Sequence, residues 1–160
     1  MGHELQRYIN DHLTGSLGAA VLTKDLMERQ ANGPDRKFFS DLAQDIERDR
    51  EILKGLLFKA GLTDSSFPKL GTSRAPTLHA EMDASKIGTF DALEMLALGI
   101  QGKRLLWVVL SELIPWFPEW HPLDFRMLEL EALRQRDGIE KLRVEMGKKV
   151  LSERQCLSMA

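Results

Sequence analysis

Apolar and small residues recur at helical spacing from the start of the chain. Leu5, Tyr8, Ile9, His12, Leu13, Ser16, Leu17, Ala19, Ala20, Leu26 and Met27 fall on one broad face, which predicts a helix over about residues 4–30. Asn32 to Asp35, NGPD, then supplies a stop and a start together, because glycine ends helices and proline suits a first turn. A second helix is predicted over about 34–60, with Phe39, Leu42, Ile46, Leu53, Leu56 or Leu57, and Ala60 in near-heptad register and Gly61 as its cap. Beyond Leu62 the period is lost in TDSSFPKLGTSRAP, and the stretch of about 62–84 is predicted to be a long crossover. The period returns through Ile87, Phe90, Leu93, Ala97, Ile100 and Trp107, a third helix over about 85–113. After the proline-punctuated IPWFPEWHP it resumes through Phe125, Leu128, Ala132, Gln135, Ile139, Leu142 and Met146, a fourth helix over about 124–153 that Asp124 can cap.

No alternating period and no internal repeat interrupts this plan, so the expected fold class is all-α, a four-helix bundle in a single domain over 1–160. Short turns join antiparallel neighbours, whereas a strap of ~20 residues, up to ~70 Å when extended, can run the length of a ~40 Å helix. Such a strap joins the second and third helices pointing the same way. The layout resembles the ferritin-like superfamily, whose bundle has its one long crossover at that place; the resemblance rests on architecture and covers nearly the whole chain.

The resemblance implies a test for a di-iron centre: a Glu on each of helices one and three, and Glu-x-x-His on helices two and four. The histidines are His3, His12, His79 and His121, none of them in helix two or four. Glu47 is followed at i+3 by Arg50 and Glu131 by Arg134, and a guanidinium cannot ligate a metal. Helix one has no acid between Asp11 and Asp25, and helix three offers Glu94 alone. The expectation is a divergent ferritin-like bundle with no metal and no cofactor.

The helix midpoints, near residues 16, 47, 100 and 138, carry glycines instead: Gly15 and Gly18, Gly99 and Gly102, and Gly138. Each interior glycine costs roughly 0.5–1 kcal/mol against alanine, so the group needs a reason. Either helices one and three approach closely at Gly15, Gly18, Gly99 and Gly102, which is the expectation taken forward, or the glycines open a small cavity. Polar residues lean inward at the same level: His12, Asp49, Glu94, Arg104 and Gln135. A buried carboxylate left unpaired costs several kcal/mol, so Asp49 is expected to find Arg104 or His12. A network that fixes helix register is the expected role, with an acid–base pair as its competitor.

Composition narrows the partners. Of 160 residues, 43% are hydrophobic and 29% charged, ample for one core, and 22 basic and 24 acidic residues are mixed along the chain to give a net charge of -2. No basic stripe marks a nucleic-acid partner. The longest apolar run, Leu105 to Leu110, is far below the ~20 residues of a membrane span, and the first thirty residues lack signal-peptide regions, so a cytoplasmic protein is expected. Cys156 is the only cysteine, excluding an internal disulfide, and is expected to be a partly exposed terminal thiol.

Lys103 to Trp120 holds all three tryptophans and an apolar run that goes right around its helix. It needs covers, which the strap, through Phe67, Leu70 and Leu78, and a second copy in a homodimer can supply. Trp116, Phe117 and Trp120 are expected to plug the bundle end. Taken together, the sequence points to a non-enzymatic structural or interaction protein with no identified ligand. The alternatives are an enzyme or small-ligand binder using the central polar layer, or a divergent metal-binding ferritin-like oxidoreductase. A pocket of a few hundred cubic ångströms at the centre would favour the ligand-using class, and a filled centre the structural one.

Overall fold

The computed structural model of the chain describes residues 2–62 and 88–158. The crossover from residue 63 onward, with Phe67, Leu70, Leu78 and His79, and the Cys156 side chain, lie outside the described residues. The protein is all-α: four long helices, α1 (Gly2–Arg29), α2 (Pro34–Lys59), α3 (Thr89–Glu112) and α4 (Phe125–Ser158), with no strand among the described residues. Single 3-10 turns at Ile114–Trp116 and Pro118–Trp120 connect α3 to α4. No helix among these residues is long and apolar enough to cross a membrane.

The helix ends follow local chemistry. Gly33, at φ 152°, turns the chain out of α1, and Pro34 opens α2. The Arg36 guanidinium then donates to the Met27 and Gln30 carbonyls at the end of α1. At the other end of α2, Gly61 takes the left-handed conformation, φ 66°. Its N–H reaches the Phe58 carbonyl and that of Leu62 the Leu57 carbonyl, the paired bonds of a Schellman cap. The Asp124 carboxylate accepts from the Met127 N–H at 3.0 Å and caps α4, as its position predicts.

Cross-helix bonds fix the directions. Arg50 of α2 reaches Leu13 and Ser16 of α1 while Arg36 reaches Met27, so α1 and α2 are antiparallel. Arg48 with Glu131 and Asp45 with Gln135 make α2 and α4 antiparallel, and Arg104 with Glu129 and Glu94 with Arg143 do the same for α3 and α4. Arg29 at the end of α1 donates to Thr89 at the start of α3. Both α2 and α3 oppose α4, and therefore run the same way.

The core is a stack of stripes. Phe39, Leu42, Ile46, Leu53 and Leu56 of α2, Leu96, Ile100, Trp107 and Leu110 of α3, and Phe125, Leu128, Ala132 and Ile139 of α4 are all buried. Trp120 closes one end: fully buried, it stacks on Phe117 at 4.4 Å and donates its indole N–H to the Leu56 carbonyl at 3.2 Å. Trp116 takes no part in that plug and is exposed.

The glycines correct the close-approach expectation. A β-carbon built on Gly15, Gly99 or Gly102 would meet no atom within 4 Å, so no neighbouring helix presses on them. Their missing side chains leave empty space. Gly18 is buried on α1. Close contact occurs at Gly138, where a β-carbon would lie 2.5 Å from the Phe38 ring of α2, and at Gly147, 2.8 Å from the Phe90 ring. Gly99→Ala is therefore expected to raise stability by about 0.5–1 kcal/mol through helix propensity alone. Gly138→Ala is expected to lower it by about 1 kcal/mol or more through overpacking against Phe38. Urea denaturation of the two variants checks the opposite signs.

Candidate functional site

The empty space is a cavity of about 490 Å³ bounded by α1, α2 and α3. Helical geometry explains why it lies at mid-bundle. On α1 the inward stripe runs Leu5, Ile9, His12, Ser16, Ala19, Thr23 and Leu26, so large side chains give way to small ones at its middle turns. Gly15 stands beside Ser16, and Gly99 and Gly102 face across from α3. Ile46 and Leu53 of α2 and Met95, Ile100 and Leu106 of α3 form apolar walls. Leu98, also a lining residue, is 75% exposed and marks the mouth with Gly99.

Five polar side chains border this space: His12, Ser16, Asp49, Arg50 and Lys103. Asp49 is 5% exposed, and its carboxylate receives the Lys103 ammonium at 2.7 Å. The same ammonium donates to the Gln135 Oε1 at 2.5 Å, and the Gln135 amide donates onward to Asp45 at 2.8 Å. Arg48 backs the chain from the solvent side, pairing with Asp45 at 3.0 Å and Glu131 at 2.7 Å and standing 3.5 Å from Asp49. One continuous polar chain thus joins α2, α3 and α4.

This corrects the expected partner of Asp49: it is Lys103, and neither Arg104 nor His12. One residue along a helix is a turn of about 100°, which carries Arg104 away from the cavity toward α4. There it pairs with Glu129 at 3.0 Å. Glu94 likewise pairs with Arg143 of α4 at 3.0 Å and does not border the cavity. Of the polar layer expected from the sequence, Asp49 and Gln135 are joined through Lys103 and His12 shares the cavity wall, while Glu94 and Arg104 belong to the outer α3–α4 seam. A signal for Lys103 was present. It interrupts the stripe Leu96, Ile100, Trp107, Leu110 as Asp49 interrupts Ile46, Leu53 and Gln135 interrupts Ala132, Ile139.

Arg50 was also missed as a site residue, having entered only as a residue unable to ligate. Its side chain is 12% exposed. Nη1 donates to the Ser16 hydroxyl at 2.7 Å and the Leu13 carbonyl at 3.1 Å, both neutral acceptors. The Ser16 hydroxyl in turn donates to that carbonyl at 2.7 Å. Among the described residues the carboxylate paired with Arg50 is Glu47, whose side chain is 60% exposed; it stands 3.3 Å from Nε at an angle that makes no hydrogen bond.

His12 packs edge-on against Tyr8, ring centroids 4.9 Å apart. Burial pushes its imidazole below its ordinary value, with the Asp11 charge opposing the shift. The wall thus combines apolar side chains with the His12 imidazole, the Ser16 hydroxyl and two cations, Lys103 paired with buried Asp49 and Arg50 with exposed Glu47. Among the described residues no three His, Cys, Asp or Glu side chains converge as a metal ion would require. Comparison of the chain with protein-family models, with curated proteins and with solved structures gives no match.

Lys103→Met leaves Asp49 buried with the long 3.5 Å contact to Arg48 in place of its close ammonium, and is expected to destabilise the fold by about 2 kcal/mol or more. Adding Asp49→Leu to the same chain is expected to recover most of that loss, read as a double-mutant cycle in urea. The His12 shift has a definite sign. Its folded-state value is depressed, so as pH falls through about 6.5 the unfolded chain takes up the proton first and stability declines. Melts between about pH 7.5 and 5.5 are expected to show a decline, with at most ~1.4 kcal/mol per pH unit from this one proton, that His12→Asn removes.

Proposed function

We propose that this chain is a ferritin-like four-helix protein, without a di-iron centre, whose central cavity holds a small and largely apolar ligand. The cavity of about 490 Å³ is the observation that carries this reading. It falls inside the ~300–1,000 Å³ range of small-molecule sites. Three glycines face it at a cost of roughly 0.5–1 kcal/mol each, and a filled bundle would have no use for that cost. The reading replaces a purely structural role with binding, and it assigns no chemical step. A cytoplasmic setting belongs to the proposal, from a chain of mixed charge with no span among its described helices.

A second reading, homodimerisation, has its own support. Leu98, Leu105 and Val109 are 75%, 50% and 44% exposed and fall within about 40° of one another around α3. Such an apolar stripe suits an isologous contact.

Native mass spectrometry of the purified protein reads ligand and subunit number together. The expected outcome is a bound organic molecule of a few hundred daltons, lost in Gly15→Leu, a variant that fills the cavity and melts no lower than the parent. A parent that carries no small molecule, and is not stabilised by any member of a panel of apolar compounds, would overturn the binding reading. A mass of one chain at every concentration would remove the dimer.

A further inference from the structure

The charges around the cavity restrict what can occupy it. This step rests on the ligand-binding reading above. Burial disfavours the charged form of His12, and Lys103 is committed on two sides, to the Asp49 carboxylate at 2.7 Å and the Gln135 oxygen at 2.5 Å. Those two side chains cancel. What remains at the wall is Arg50, 12% exposed, whose hydrogen bonds among the described residues go to the neutral Ser16 hydroxyl and Leu13 carbonyl and whose counter-ion there is the exposed Glu47. Glu47 meets it from the solvent side, where water weakens the attraction, and out of line for a hydrogen bond.

We infer that the ligand is an apolar monoanion, its carboxylate or equivalent acid group seated on Arg50 and its hydrocarbon part lying along Ile46, Leu53, Ile100 and Leu106. Three physical reasons converge. A guanidinium offers a planar fork that matches a carboxylate, and a bond to an anionic acceptor in a poorly solvated wall is stronger than the bonds to neutral acceptors that Arg50 now makes. The Ser16 hydroxyl, which now donates to Leu13 at 2.7 Å, is within reach of the same group and can turn to donate to an anion. Among the described residues a cationic ligand would meet Arg50 and Lys103 with no free carboxylate in the wall to receive it, since Asp49 already holds an ammonium. A neutral ligand would fill the volume and leave Arg50 with the exposed Glu47 as its counter-ion. Gly99 and Gly102, beside exposed Leu98, put no side chain into the cavity from α3.

The test uses three ligands that share a tail and differ in head group: decanoate, decanol and decyltrimethylammonium. Isothermal titration of the full chain is expected to give decanoate an affinity about tenfold or more above decanol, with the cation weakest. Raising the salt concentration should weaken decanoate and leave decanol unchanged. Arg50→Gln keeps hydrogen-bond donors for Ser16 and Leu13 without the charge, and is expected to bring decanoate down to the decanol value. Arg50→Lys should keep part of the preference, and it tests the same point if the Gln variant does not fold. Decanol binding as tightly as decanoate, or an anion preference that survives the loss of the Arg50 charge, would overturn the inference while leaving a ligand cavity in place. Binding of none of the three would sink both.

Discussion

The ammonium of Lys103 between Asp49 and Gln135 is the contact on which the arrangement of α2, α3 and α4 depends. Each of these side chains occupies an inward position that its helix otherwise gives to apolar residues, and each would be costly there alone. Paired, they satisfy one another only in one register. A slip of one turn along any helix would set a charge against Ile46, Trp107 or Ile139, so the apolar layers above and below inherit their alignment from this one. Arg48, Asp45 and Glu131 extend the chain to the surface, bridging α2 and α4 through side chains.

The cavity follows from the same layer. Around the Lys103 contact, three helices send long polar side chains toward one another, and the fourth, α1, has only Ser16, Ala19 and Gly15 to offer at that level. Neither α1 nor the Gly99 and Gly102 turn of α3 can fill the gap. Space therefore collects on the α1 side of the network, bordered by Arg50, whose charge the network does not use. Close glycine contacts occur where α4 receives aromatic rings, at Gly138 under Phe38 and Gly147 under Phe90. Identical residues thus do opposite work, according to whether a bulky side chain faces them.

The sequence by itself determined what is periodic. Four heptad-like stripes, broken at NGPD, after Gly61 and at IPWFPEWHP, specify four helices and no strand, because burying a repeating apolar face is a local demand that each segment states alone. It also showed that Asp49, Gln135 and His12 sit on inward faces at one level, since position on a helix follows from residue number. Tertiary structure decided who meets whom. Lys103 and Arg104 are adjacent in sequence and both cationic, and the rotation of α3 against its neighbours sends the first to Asp49 and the second to Glu129. That rotation depends on packing summed over three helices, so no local pattern contains it. For the same reason the glycines could be read as contact or as void until the side chains opposite them were in place, and at Gly15, Gly99 and Gly102 the answer was void.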